Sequence, residues 1–160
     1  MSVQISQAQL EDLPEMIEWE KELFGADAWS PELMVAEVSH PLNYYVVARS
    51  AHSALAGYAG LRVDSLPAEH ADIQTIAVVP EFRRSGLGRK LLQNLLSQAT
   101  QSGARDVFLE VRADNEAAIE LYRSEGFQQI DIRPKYYQPE GVDALVMRKL
   151  MSGPEGGGVS

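Results

Sequence analysis

Hydrophobic and polar positions alternate along this chain in two rhythms, one typical of strands and one typical of helices. The segment VQIS, at residues 3–6, predicts a short first strand. Apolar residues then recur at helical spacing in DLPEMIEWEKELF, which predicts a helix that ends at Gly25. A second helix is predicted over WSPELMVAEVSH, with Ser30 as its N-cap and Pro31 at its first position.

Three consecutive strands are predicted next, over NYYVVAR, SALAGYAGLRV and ADIQTIAVVP, because these segments are rich in β-branched and aromatic residues. We expect them to form an antiparallel meander that Pro80 stops. A third helix is predicted from the apolar face that Leu87, Leu91 and Leu95 form at helical spacing, and Gly103 is expected to close it.

The remaining patterns predict a strand over DVFLEVRA, a helix over DNEAAIELYRSEGF and two final strands over FQQIDI and DALVMRKL. Asp114 is the expected N-cap of that helix and Gly126 its C-terminal stop. The order β-α-α-β-β-β-α-β-α-β-β predicts a mixed α+β domain around one sheet, with a parallel crossover through the third helix. We assign residues 1–151 to this domain and predict that residues 152–160 are a disordered Gly-rich tail.

Composition narrows the function classes. The 160 residues carry a formal net charge of −9, which argues against direct nucleic-acid or acidic-membrane binding and is compatible with a basic partner. Solubility alone is an equally good reason for the acidity. Cys is absent, which excludes a thiolate nucleophile and a disulfide framework, and no metal site is expected. The N-terminal segment does not resemble a signal peptide, and no apolar run approaches roughly 20 residues, so we expect a cytoplasmic protein.

The stretch RRSGLGRK, from Arg83 to Lys90, concentrates positive charge and glycine between a predicted strand and a predicted helix. Glycines let the backbone approach a ligand, and the first N–H groups of a helix lack internal partners. Together they predict an anion site suited to a pyrophosphate. The spacing fits neither a Walker A loop nor a dinucleotide-binding fingerprint. A solvated basic helix start is the alternative.

This loop resembles the acyl-CoA loop of the GCN5-related N-acetyltransferases, Gln/Arg-x-x-Gly-x-Gly/Ala, which is complete here from Arg83 to Gly88. The order of elements from Val3 to Leu150 is also similar to that family. The resemblance implies one mostly antiparallel sheet of about seven strands flanked by four helices, with a splayed parallel pair at the acyl-CoA site. Within the family, the segments FLEVRADNEAAIELYRSEGF, KYYQPEGVDALVM and AWSPELM resemble the RimI group, which acetylates the N-terminal alanine of a ribosomal protein.

The resemblance assigns acetyl-CoA, the cosubstrate, to a defined set of residues. The backbone of three strand residues pairs with the pantetheine arm, the loop wraps the pyrophosphate, and one residue contacts CoA from the start of the next helix. These residues are Ile76, Ala77 and Val78; Arg83, Arg84, Ser85, Gly86, Leu87, Gly88 and Arg89; and Asn115.

Glu110 is the candidate general base. Strand alternation places it with Phe108 and Arg112, opposite three apolar residues. Burying a carboxylate there is costly unless it is paired, and partial desolvation would make it a better base. A structural ion pair with Arg112 or another basic residue is the alternative. The resemblance to the RimI group places the base at this residue.

Tyr122 is the candidate general acid. It lies on the same helical face as Ala118 and Leu121, and a phenol can protonate a leaving thiolate when it is held close to it. A core tyrosine is the alternative, and the resemblance places the acid here. The backbone N–H of Val78 is the expected oxyanion donor. Trp29, Tyr136 and Tyr137 are candidates to line the peptide groove, against ordinary aromatic packing.

Without a cysteine, direct attack on acetyl-CoA in a ternary complex is the favoured chemistry. An α-amine has a reference pKa of about 7.7–8.0 and a lysine about 10.4, so a lone carboxylate base suits a protein N-terminus better. The leading hypothesis is therefore N-terminal acetylation of a protein. Acetylation of lysine or a small amine, and a non-catalytic CoA-binding module, are the alternatives, and the oligomeric state stays open.

Overall fold

The computed structural model describes residues 2–151, so Met1 and the predicted tail at 152–160 lie outside the described residues. The described chain forms seven strands and four α-helices. The strands are β1 (Val3–Gln7), β2 (Asn43–Ser50), β3 (Leu55–Val63), β4 (His70–Val78), β5 (Asp106–Arg112), β6 (Gln128–Tyr137) and β7 (Val142–Leu150). The helices are α1 (Leu13–Phe24), α2 (Pro31–Ser39), α3 (Leu87–Ser102) and α4 (Glu116–Ser124).

The strands form one mixed sheet in the order β1-β2-β3-β4-β5-β7-β6. The ladders β1–β2, β2–β3, β5–β7 and β6–β7 are antiparallel, whereas β4–β5 is parallel. The parallel ladder joins His70–Asp72 to Asp106–Phe108. The predicted α+β class, sheet and parallel pair are therefore confirmed, while the splay of that pair beyond Asp72 stays a prediction.

Local signals place most helix ends where the sequence predicts them. The Ser30 Oγ accepts a hydrogen bond from the Leu33 N–H at 3.1 Å and caps α2, which begins at Pro31. Gly25 follows α1 with a φ of 52°, a conformation that favours glycine. The predicted cap of α4 is wrong by one residue, because the Oδ1 atom of Asn115, rather than Asp114, accepts from the first turn.

The chain divides into two compact units. Among residues 2–151, the first contains residues 2–62 and Gln74–Gln98, and the second contains Val63–Ile73 and residues 99–151. The assignment of residues 1–151 to one domain stays a prediction. None of the described helices is both long enough and apolar enough to cross a membrane.

In the first unit, α3 packs closely against β3 and β4. A Cβ atom at Gly57 would lie 2.6 Å from the carbonyl oxygen of Ala77 and 3.2 Å from the side chain of Leu91, so only glycine fits there. Leu87 and Leu91 are buried. This packing fixes the backbone of β4 at the residues that the resemblance assigns to the pantetheine arm.

In the second unit, β5 alternates as its pattern predicts. Val107, Leu109 and Val111 are buried, whereas Phe108 and Arg112 are half-buried. The buried side chains supply the hydrophobic contribution of this strand. The opposite face of β5 therefore carries its polar residues.

Candidate active site

The predicted anion loop follows β4 in the first unit. A single 3-10 turn, Pro80–Phe82, leads into residues 83–86, and α3 begins at Leu87. The Ser85 Oγ donates a hydrogen bond to the carbonyl of Phe82 at 2.5 Å, and Phe82 is buried. The Arg83 Nε donates to the carbonyl of Val78 at 3.3 Å. These bonds tie the loop to the 3-10 turn and to the end of β4.

The loop backbone includes two residues with positive φ. Arg84 has a φ of 62° and Gly86 a φ of 82°. The left-handed conformation costs a non-glycine residue roughly 1 to 2 kcal/mol, so Arg84 is held there by its surroundings. Turns of this kind direct successive N–H groups to one side and create concave anion sites.

The start of α3 completes the donor set. The Lys90 N–H donates to the Gly86 carbonyl at 3.1 Å, a helical bond at the start of α3. The N–H groups of the preceding turn lie ahead of that bond, and the helix dipole adds about half a positive charge. The first turn carries no acid, and Arg84, Arg89 and Lys90 are exposed. The loop can therefore bind a pyrophosphate with backbone donors and cationic side chains.

Two predicted ligand residues are limited to backbone contacts. Leu87 and Ala77 are each 2% exposed, so their side chains belong to the core. Ile76 and Val78 flank Ala77 and are half-buried. A Cβ atom at Gly86, by contrast, would have nothing within 4 Å, which leaves open space beside the loop for a ligand.

Trp29 is held by a buried carboxylate in the first unit. Its backbone N–H donates to Glu20 Oε2 at 3.0 Å, and the Tyr58 hydroxyl donates to Glu20 Oε1 at 2.6 Å. Burial first, and then this hydrogen bond, raise the pKa of Tyr58 and keep it a donor. The Trp29 side chain packs against the apolar core around Met16 and Met34. Aromatic packing of Trp29 is therefore observed, and its place in a peptide groove stays a prediction.

Glu110, in the second unit, lies on the predicted face of β5, and its side chain is 32% exposed. Its Oε2 atom accepts a hydrogen bond from Arg133 Nη1 at 2.6 Å. Arg112 pairs instead with Asp114 at 3.1 Å, so the ion pair considered for Glu110 exists with a different arginine.

An aromatic pair extends this cluster. The rings of Tyr136 and Tyr137 meet edge to face, with centroids 5.1 Å apart. The guanidinium of Arg133 lies 5.1 Å from the Tyr136 ring centroid, and that of Arg112 lies 5.2 Å from the Tyr137 centroid. The structure thus links the predicted base to Tyr136 through Arg133, and Tyr136 in turn contacts Tyr137.

Tyr122 is buried in α4, with its ring edge-on to Phe127 at 5.8 Å between centroids. Burial, and to a lesser extent Tyr137, raise the pKa of Tyr122 to about 12. The phenol therefore stays protonated at neutral pH and can act as a hydrogen-bond donor. Asn115, in contrast, is exposed, and its Oδ1 atom caps α4 at 3.2 Å from the Ala118 N. Its amide nitrogen is the group that remains for a ligand.

The chain is similar to known proteins of one family. A model described as the Acetyltransferase (GNAT) family matches residues 6–127. The chain belongs to the GNAT family of acetyltransferases. Its predicted fold, enzyme class and family are therefore confirmed.

Relatives of this GNAT enzyme include RimI proteins. It is 43% identical over 145 residues to the N-alpha-acetyltransferase RimI of Mycobacterium tuberculosis, which covers 89% of each chain. The crystal structure of the ribosomal-protein-S18-alanine N-acetyltransferase from Escherichia coli matches with a TM-score of 0.84 and 32% identity, over 96% of this chain and 97% of that one. Arabidopsis thaliana NAA60, solved with acetyl-CoA, shares the fold with a TM-score of 0.83 at 19% identity, over 95% of this chain and all of that one (100%).

The matched range of the GNAT family includes some of the candidate residues and excludes others. Residues 6–127 include the anion loop, Glu110 and Tyr122. Arg133, Tyr136 and Tyr137 follow the matched range, on β6. Arg133 was not among the residues predicted from the sequence, and the available signal was a basic residue between the predicted strand FQQIDI and the aromatic pair. The roles of all these residues stay predictions.

Proposed function

We propose that this GNAT enzyme transfers the acetyl group of acetyl-CoA to the α-amine at the N-terminus of a protein, with the N-terminal alanine of a ribosomal protein as acceptor. The observation that carries the proposal is the 43% identity over 145 residues to the N-alpha-acetyltransferase RimI of M. tuberculosis. A ribosomal acceptor implies a cytoplasmic reaction, and that location is part of the proposal.

Acetyl-CoA supplies the acetyl group as a thioester, and the first unit has the donors to hold it. The loop from Arg83 to Arg89 would bind the pyrophosphate through backbone N–H groups, assisted by its arginines. The open space at Gly86 supports this assignment. The backbone of Ile76–Val78 would pair with the pantetheine arm, the amide nitrogen of Asn115 would add a contact, and the Val78 N–H would stabilise the developing oxyanion.

Glu110 would accept the proton that the acceptor nitrogen loses when the C–N bond forms. Its Oε1 atom has no hydrogen-bond partner among residues 2–151, so it is available for this proton. An α-amine with a reference pKa of about 7.7–8.0 is partly neutral at neutral pH, whereas a lysine near 10.4 is not. A single carboxylate is therefore a sufficient base for an N-terminal amine more readily than for a lysine side chain.

Tyr122 would donate a hydrogen bond to the sulfur as the C–S bond breaks. Proton transfer from a phenol with a pKa of about 12 to a thiolate of reference pKa near 8.5 costs roughly 5 kcal/mol. Removing the sulfur from water raises the pKa of the thiol and narrows this gap. Tyr122 therefore acts first as a donor to the developing charge and supplies the proton as the thiol leaves.

Two matched peptides test the proposal. One has a free N-terminal alanine and no lysine, and the other has a blocked N-terminus and one internal lysine. Each is incubated with acetyl-CoA and the enzyme, and acetylated peptide is measured by mass spectrometry. We expect rapid acetylation of the alanine peptide alone. Faster reaction of the blocked lysine peptide would assign a side-chain amine as acceptor instead.

A further inference from the structure

Arg133 reaches Glu110 across an intervening strand. Arg112 on β5 and Arg133 on β6 both pair in register with Ala144 on β7. Residues directly opposite one another share a face of a sheet, so these three residues form one row. Ala144 is fully buried, and its side chain is a single methyl group. The long side chain of Arg133 can therefore pass over it to Glu110, which lies on the same face two residues before Arg112.

The bond that results is specific to one carboxylate oxygen. Arg133 Nη1 lies 2.6 Å from Glu110 Oε2, a short charge-assisted hydrogen bond. The Glu110 side chain is 32% exposed, and an exposed glutamate without a partner samples several rotamers. Fixing Oε2 restricts those rotamers and also restricts where Oε1 can lie.

The position of Arg133 is itself supported. Its guanidinium lies over the Tyr136 ring, and Tyr136 packs edge-on against Tyr137. Arg112, in the same row, is directed elsewhere by Asp114 and Glu140, at 3.1 Å and 3.7 Å. The two arginines therefore have separate partners.

We propose that Arg133 is a positioning residue for the general base: it holds Glu110 by Oε2, so that Oε1 takes the proton from the acceptor amine. The inference rests on the role of Glu110 in the proposed function. Arg133 acts through Glu110 and through no other group in the reaction. Its effect should therefore disappear when Glu110 can no longer accept a proton.

A double-mutant cycle tests this dependence, with Arg133→Met, Glu110→Gln and the double variant. We expect Arg133→Met to lower kcat by about 10- to 100-fold, the range for a misplaced general base, with the KM for acetyl-CoA unchanged within about twofold. Arg133→Lys should recover part of the loss. In the Glu110→Gln background, Arg133→Met should change kcat by less than about twofold.

The control is Arg123→Met, which removes the same charge from an exposed residue of α4. It should leave kcat and KM unchanged, and thermal unfolding checks that each variant is folded. An equal loss of kcat from Arg133→Met in both backgrounds would overturn the proposal. So would a loss expressed only in the KM for acetyl-CoA.

The choice of acceptor amine separates the test of the positioning role from the test of the proposed function. The cycle is measured with whichever amine the wild-type enzyme acetylates fastest. If that amine is a lysine, N-terminal acetylation fails as the function while coupling between Arg133 and Glu110 still supports the positioning role. If the N-terminal peptide reacts and the cycle shows no coupling, only the positioning role fails. An enzyme inert toward every amine overturns both.

Discussion

His70 and Asp106 are joined twice, once through the backbone and once through their side chains. They are the first partners of the parallel β4–β5 ladder. The His70 Nδ1 atom also lies 2.5 Å from Asp106 Oδ1, and the His70 ring is edge-on to Phe108. The hydrogen bond with Asp106 is the main reason that the pKa of His70 is raised, with Asp64 and Glu69 adding to it.

This pair predicts a pH dependence of stability. Because the pKa of His70 is higher in the folded protein, the folded state favours the protonated ring. Its contribution is fully present below the unfolded pKa of about 6.5 and is lost as pH rises through the folded value. Urea unfolding of wild type between pH 6 and pH 9 should show this loss, and His70→Gln should show a smaller one. The same pH dependence in both proteins would contradict the assignment.

Local patterns predicted every strand and α-helix, because each depends on neighbouring residues, but β6 extends to Tyr137, beyond the predicted end at Ile132. The buried face of β5 follows directly from alternation, and the start of α2 follows from Ser30 and Pro31. The error at α4 comes from two adjacent residues that both suit an N-cap. Arg112 binds the Asp114 carboxylate, and the cap is then Asn115.

The surroundings of Glu110 could not be predicted in this way. Its partner Arg133 is 23 positions away and lies on β6, with β7 between the two strands. That strand order is not contained in the alternation of either segment. Alternation along β5 predicted which face carries Glu110, whereas its ion pair depends on a residue of another strand. The residue types of the site were thus predictable, but the arginine that holds the base was not.

Replacing Gly86 should weaken acetyl-CoA binding. Gly86→Asp adds bulk and negative charge at a residue with positive φ, in the space assigned to the pyrophosphate. We expect the Kd for acetyl-CoA, measured by calorimetric titration, to rise at least about tenfold, or about 1.4 kcal/mol.

Gly25→Asp provides a matched control for the binding test. Gly25 also has a positive φ and nothing within 4 Å of a Cβ atom, but it follows α1. Both variants therefore place a side chain at a positive φ in open space, and Gly25→Asp should bind acetyl-CoA normally. If both variants bound acetyl-CoA with the same affinity, the loop from Arg83 to Arg89 would not be part of the acetyl-CoA site.

Glu110→Gln should separate catalysis from cosubstrate binding. An amide keeps the shape of the carboxylate but cannot act as a base, so kcat should fall by about 100- to 10,000-fold. The Kd for acetyl-CoA should stay within about twofold, since that ligand is assigned to other residues. Glu120→Gln, at an exposed residue of α4, is the control for the charge change. A Glu110→Gln enzyme with wild-type kcat would show that the base is elsewhere.

Tyr58→Phe should lower the free energy of unfolding, because it removes a hydrogen bond to the buried Glu20 carboxylate. Glu20 is 3% exposed and accepts from only Tyr58 and the Trp29 N–H among the hydrogen bonds of residues 2–151. Removing the Tyr58 hydroxyl leaves a buried carboxylate short of a donor, at a cost of about 1.5–3 kcal/mol in the free energy of unfolding.

Tyr44→Phe is the control, because the Tyr44 hydroxyl donates to the neutral Asn94 side chain at 2.9 Å. Loss of that bond should cost about 1 kcal/mol. Urea unfolding at pH 7 measures both, and a Tyr58→Phe variant no less stable than Tyr44→Phe would show that Glu20 is satisfied without the phenol.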